Sequence, residues 1–397
     1  MSRPRRSFAV LVLALPILAA SAAGPGVDGA TPPISLRLGI PDSAGRASEP
    51  AVTAFVDAVA RDSGGSITIE PLWRVGDDTP EQFEVGTGRL LLDGQVDLAL
   101  VAGRAWHDLG SPALDVLQTP FLIDTDPLAV AVASAPVADD LLADLHGIGV
   151  TGLALWPEDL RHPVAFEGCT APIVTPAEMR GLTVRTIQSA LTADLMEQLG
   201  ATAVHPDDLG ALIERCDIQA AESGLLQWDS LSGRPAITAD VAFYPKFQVL
   251  AAGGGSWAGL TADQRAILQR AAREARDVVL AGHRPDAELV AAWCAAGGRV
   301  VLAGPDGVAA FRAAAQPLVD RLTADPTTGA AVHAIEQLRS AVPAAPSLAS
   351  CDPAPSPSTS PEAASSIGPA SSAAPVASVA GLGVEPPSGT YRTLITP

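Results

Sequence analysis

Lysine is almost missing: Lys246 is the only one in 397 residues, so arginine carries nearly all the positive charge. Basic residues are scarce altogether, with 25 Lys and Arg against 44 Asp and Glu and a formal net charge of -19. A nucleic-acid-binding chain needs a basic face to neutralise phosphates, and this deficit excludes that class of partner. Aromatic residues make up only 4% of the chain. The four cysteines, Cys169, Cys216, Cys294 and Cys351, match no zinc pattern, and the six histidines show no metal spacing. No metal site is expected. Phosphate-binding loops and dinucleotide fingerprints are lacking too, so no cofactor is expected. Ser256 lies in a glycine-rich run, but Ala258 stands where a nucleophile elbow needs its closing glycine. With no nucleophile–base pair in sight, the chain does not read as an enzyme. Past the N-terminus no stretch reaches roughly 18 uninterrupted apolar residues, so no helical membrane span is expected.

What is present begins with a targeting signal. Arg3, Arg5 and Arg6 precede an apolar run from Phe8 to Ala20, followed by small residues at Ala20-Ser21-Ala22. That run is too short to span a bilayer comfortably, and residues 1–30 read as a signal peptide. Arg5-Arg6-Ser7-Phe8 resembles a twin-arginine signal. The alternative is an uncleaved anchor. Export puts the chain outside the cytoplasm, in the periplasm or at the cell surface, where cysteines can be oxidised. Four cysteines allow three pairings, and Cys169 with Cys216 is the first choice because both fall in one expected lobe. Residues 341–397, rich in Pro, Ala and Ser, read as a disordered tail.

Between these ends the pattern alternates strand and helix. Apolar alternation at Ser35–Ile40, Ile67–Leu72 and Val96–Val101 predicts strands, and Ala51–Ala60 predicts a helix between the first two. A helix over Leu128–Leu145 and a strand over Val150–Trp156 complete a first set. A second set follows: strands at Val164–Phe166, Leu182–Ile187 and Ile218–Ala221, with a helix over Ala190–Leu199. Val241 to Ala252 reads as extended and long enough to cross between lobes. Thr261-Ala262-Asp263-Gln264 is a capping box opening a long helix. Such a βαβ series implies an α/β fold whose lobes are mostly parallel sheets flanked by helices. The expected division is lobe I over 33–157, lobe II over 158–245, and completion of lobe I over 246–340.

Arg185 is the sharpest signal for function. It sits among Leu182, Val184 and Ile187 in a short strand, where an unpaired charge is costly. Its partner is either a protein carboxylate or a ligand carboxylate, and the guanidinium fork suits both oxygens of the latter. Strand ends in open α/β sheets are where ligands bind. Arg161 follows an expected strand near the lobe crossover; the alternative is a solvated loop arginine. Glu222 and Ser223 follow the strand ending at Ala221, which suits a cleft rim; Ser223 could equally cap a helix.

In order along the chain, these pieces resemble the solute-binding proteins of tripartite ATP-independent periplasmic (TRAP) transporters, the DctP-like family. Thr119-Pro120-Phe121-Leu122-Ile123 resembles its Pro-Phe-Leu-Phe segment, and Leu160-Arg161-His162 its Phe-Arg-His turn. Pro172 through Arg185 resembles the stretch ending in its ligand arginine. Leu199-Gly200-Ala201 and Trp257 through Gln264 match later segments. The resemblance implies a two-lobed periplasmic-binding-protein-like fold with crossover strands and a long helix near the hinge. It further implies a salt bridge from Arg185 to a ligand carboxylate, a second contact from Arg161, and an opposite wall around Glu222 and Ser223. The partners implied are a small carboxylate and TRAP membrane subunits, with the binding protein a monomer. Where the family has Asp-Gly-Gln-Glu-Asn, this chain has Gln219-Ala220-Ala221-Glu222-Ser223. The alternatives are a ligand sensor for a signalling receptor and an exported hydrolase.

Overall fold

A computed structural model describes residues 33–77, 83–206, 209–226 and 235–351. The signal peptide expected over 1–30 and the tail beyond 351 lie outside the described residues. The first lobe is built from β1 (Ile34–Ile40), α1 (Glu49–Asp62), β2 (Ile67–Trp73), α2 (Phe83–Leu92), β3 (Leu98–Ala102), α3 (Asp126–Ser134) and α4 (Pro136–Asp144). β4 (Val150–Phe166) leaves it, followed by α5 (Pro176–Met179), β5 (Thr183–Arg185), α6 (Ala190–Gln198), β6 (Thr202–Val204), α7 (Gly210–Glu214), β7 (Ala220–Ser223) and β8 (Pro235–Thr238). β9 (Tyr244–Gly253) returns, and α8 (Gly254–Gly259), α9 (Ala262–Ala281), α10 (Asp286–Ala295), β10 (Arg299–Val301), α11 (Gly304–Ala324) and α12 (Gly329–Arg339) complete the described chain.

The strands run in the order β2-β1-β3-β9-β4-β7-β5-β6, with β8 also on β4 and β10 on β8. β1, β2 and β3 are parallel, as are β5, β6 and β7. β9 pairs antiparallel with both β3 and β4, and β4 pairs antiparallel with β7 and β8. The sheet is therefore mixed, and the two long strands β4 and β9 belong to both lobes.

Side-chain alternation explains how the sheet is covered on both faces. In the first lobe Ala99, Val101, Phe247 and Val249 enter one core, while Leu98, Leu100, Leu250 and Ala252 enter the other. In the second lobe Ala165, Ala220 and Ala236 face one core, and Val164, Ala221 and Ile237 face its opposite. Those two cores are closed by α11, through Phe311, Ala315 and Leu318, and by α10, through Leu289, Val290 and Trp293. The expected completion of lobe I over 246–340 is corrected accordingly. α9 and α12 pack in the first lobe, whereas α10, β10 and α11 cover the second, because β10 adds to β8 rather than to the first half of the sheet.

Local differences from the sequence pattern have physical causes. The helix expected over 128–145 is two, because Ala135 precedes Pro136 and is extended at φ -89°, ψ 158°. Two strands expected around Trp156 and Phe166 are the single strand β4, which carries Pro157 beside an irregularity in its pairing with β9. Arg161 thus lies inside a strand and not in a loop. The glycine run before Thr261 forms the short helix α8. The capping box holds: Gln264 N donates to Thr261 Oγ1 at 3.2 Å and Thr261 N to Gln264 Oε1 at 2.8 Å. Two disulfides close, Cys169–Cys216 and Cys294–Cys351. The second corrects the tail boundary, since Cys351 pairs with Val300 of β10 through main-chain hydrogen bonds at 2.8 and 2.9 Å.

Candidate functional site

Parallel strands end on one edge, so the fold gathers the residues that follow them. Asp42 follows β1, Arg74 follows β2, Arg104 follows β3, Arg185 ends β5, and His205 follows β6. These ends line two cavities of about 440 and 360 Å³ that share Arg74, Asp77, Phe83, Arg185 and Ile187. Residues of both lobes meet there.

A buried set of ion pairs adjoins the cavities, with Glu84 on the wall of the first and Arg104, Glu158 and Lys246 on that of the second. Arg161 Nε donates to Glu222 Oε1 at 2.5 Å, and both side chains are essentially sealed from solvent. Asp159 stands 3.5 Å from the same guanidinium. Arg104 holds Glu84 with two hydrogen bonds of 2.8 and 2.9 Å. Lys246 reaches Glu158 at 3.0 Å, and Gln248 donates to that carboxylate at 2.7 Å. Burial opposes every one of these charges, and for all but Asp159 the pairing overcomes it. Burial alone would raise Glu84, yet Arg104 and Lys246 bring it down to about 2. Burial would raise Glu222, but Arg161 and Arg104 hold it below the usual carboxylate range. Asp159 goes the other way: burial outweighs Arg161, Glu158 adds repulsion, and the acid is pushed up to about 6.

Arg185 differs from these cations. Among the described residues it has no hydrogen-bond or ion-pair partner, although its side chain is mostly buried. Burial, and then the like charge of Arg161, lower its pKa to about 10. A guanidinium in that position sits in an environment that disfavours its own charge, and an incoming anion relieves the conflict.

The structure sorts the four residues expected at the site. Arg185 lines both cavities. Arg161, Glu222 and Ser223 are brought together, since β4 and β7 pair His162 with Ser223 and Pro163 with Glu222. Their side chains stand behind the cavity walls, where Arg161 and Glu222 engage each other, instead of facing a ligand from two sides. Arg104, Glu84, Lys246, Glu158 and His205 were not singled out from sequence. The isolation of Lys246 in the apolar run of β9, and the strand-end positions of Arg104 and His205, were the available signals.

Residues 43–206 match the family described as bacterial extracellular solute-binding protein, family 7. Among curated proteins, the chain is 31% identical over 111 residues to the 2,3-diketo-L-gulonate-binding periplasmic protein YiaO of Escherichia coli, covering 28% of this chain and 33% of that protein. It is 29% identical over 199 residues to the uncharacterized protein y4mM of Sinorhizobium fredii, covering 50% and 35%. The matches span about a third of the length of these two relatives. Among solved structures, a TRAP periplasmic solute-binding protein from Ochrobactrum anthropi, with its C-terminus bound in the ligand pocket, superposes with a TM-score of 0.67 at 22% identity, covering 78% of this chain and 97% of that one. A second, from Bradyrhizobium in complex with galacturonate, gives 0.66 at 20% identity, covering 77% and 100%. The likeness to these structures is one of fold.

Proposed function

We propose, from the match of residues 43–206 to family 7 of the bacterial extracellular solute-binding proteins, that this protein captures a small carboxylate between its lobes for a TRAP-type secondary transporter. The observation carrying this reading is Arg185, a mostly buried cation on the cavity wall with no partner among the described residues. A planar guanidinium binds both oxygens of one carboxylate, adding geometric selection to charge. Arg161 and Glu222 support the site from behind, the pair fixing β4 against β7, and Ser223 follows on the same strand. Sugar acids are the ligand class with most support: related structures hold galacturonate and d-glucuronate, and YiaO is named for 2,3-diketo-L-gulonate.

The lobes divide near 157 and 245, where β4 and β9 cross. A ligand touching strand ends of both lobes favours the closed arrangement by its differential affinity for the two states. The closed form is then the one that TRAP membrane subunits receive, from a monomeric carrier outside the cytoplasm. The two disulfides suit that oxidising compartment.

Isothermal titration of a ligand found by thermal-shift screening of organic and sugar acids tests the reading. Arg185→Ala is expected to weaken binding by about 2–5 kcal/mol, the loss typical of a buried charged contact, with an unchanged circular dichroism spectrum. Equal affinity in the variant overturns the proposed role.

A further inference from the structure

His205 follows β6 as Thr186 follows β5, and the parallel register sets Arg185 against Val204. The main chain continues the pairing, with Thr186 N donating to Val204 O at 3.0 Å. Thr186 and His205 therefore lie side by side at the cavity edge. The imidazole Nδ1 is 3.2 Å from the carbonyl oxygen of Thr186 and 3.1 Å from its hydroxyl. A carbonyl oxygen only accepts, so the proton of the neutral ring sits on Nδ1. Nε2 then carries a lone pair, and it has no hydrogen-bond partner among the described residues. His205 and Arg185 line the same cavity of about 440 Å³.

This pairs an acceptor with the cation that takes the carboxylate. We propose that His205 sets the specificity of the site by accepting, at Nε2, a hydrogen bond from a hydroxyl group of an acid held by Arg185, so that hydroxy acids bind in preference to plain aliphatic acids. The inference rests on the carboxylate reading of Arg185. An aliphatic acid offers Nε2 no donor, and a second carboxylate would face the lone pair with another acceptor. A hydroxyl is the group that satisfies it.

The test is isothermal titration of the full chain with D-gluconate, D-galacturonate and hexanoate, for wild type, His205→Phe, His205→Gln and Arg185→Ala. Wild type is expected to bind a hydroxylated acid at least about tenfold more tightly than hexanoate, the worth of one well-made hydrogen bond. His205→Phe should lower hydroxy-acid affinity by about tenfold while leaving hexanoate binding within about threefold, and His205→Gln, whose amide oxygen also accepts, should restore part of the preference. A fall of equal size for all three acids with His205→Phe, no change for any, or a wild type that binds none of them overturns the proposal. Arg185→Ala reports separately. It should weaken all three acids together, and if it keeps full affinity the carboxylate reading fails and the proposal with it, whereas loss with Arg185→Ala and no change of ratio with His205→Phe overturns the role of His205 alone.

Discussion

Arg104, Arg161 and Lys246 each face a carboxylate at 2.5 to 3.0 Å, and Arg185 faces a cavity. Arg104 and Lys246 also line the second cavity, so what sets Arg185 apart is the lack of a partner among the described residues, and sequence revealed only that side of the contrast. Arg185 was legible because a charge inside a short apolar strand demands a partner. The support pairs were not, because Arg104 meets Glu84 across 20 residues and Lys246 meets Glu158 across 88, and local pattern carries no such distance. Asp159 shows what this clustering costs. Its ordinary value is 3.8, and burial raises it to about 6 in the fold. Between those values the unfolded chain has released the proton that the folded chain keeps, so stability falls as pH rises from about 4 to about 6. The full effect is about 3 kcal/mol, present above the folded value. Asp159→Asn cannot ionise. Its stability relative to wild type is expected to improve by about 1–3 kcal/mol between pH 4.5 and pH 7.5, measured by urea melts at both. Parallel behaviour of the two proteins would show that Asp159 stays ionised across the window.

Single elements were easiest to read where a local rule acts alone. The capping box at Thr261 needs only four residues of sequence, and it opens α9 as expected. Thr261→Ala removes the hydroxyl that accepts from Gln264 N, and the loss should be about 1 kcal/mol in urea unfolding. Because the cap lies away from both cavities, ligand affinity should not change; a weaker affinity would mean that α9 reports to the cleft. β4 is the opposite case. Pro157 and Pro163 break the strand signal, yet the strand runs on through both, since β9 and then β8 hold one edge and β7 holds the other. Tertiary pairing overrides the propensity that stopped the sequence reading near Trp156. This continuity is also what puts Arg161 in the interior.

For the molecule as a whole, the alternation of strands and helices was sufficient for the two-lobed α/β architecture, but not for which lobe receives the last third of the described chain. α10, β10 and α11 carry the same helical and strand signals wherever they dock, and their faces are chosen by the alternating cores of the second lobe. The Cys294–Cys351 disulfide fixes that choice covalently, closing a span of 57 residues from α10 to the segment beyond α12. The segment would otherwise be held by its two hydrogen bonds to Val300 and by apolar contacts such as that of Leu348 with the second-lobe core. A loop of that length limits the unfolded chain enough to contribute up to about 4 kcal/mol in the chain-entropy account. The double substitution Cys294→Ser with Cys351→Ser is therefore expected to lower stability by about 2–4 kcal/mol in urea melts. Reduction by dithiothreitol should lower wild type by at least as much, since Cys169–Cys216 is broken as well. Ligand affinity at a temperature well below the melt should stay the same, because neither cysteine lines the cavities that hold Arg185. If the double variant kept its stability but lost affinity, the C-terminal segment would be acting on the cleft, and its role would be in the lobes' relative arrangement instead of their integrity.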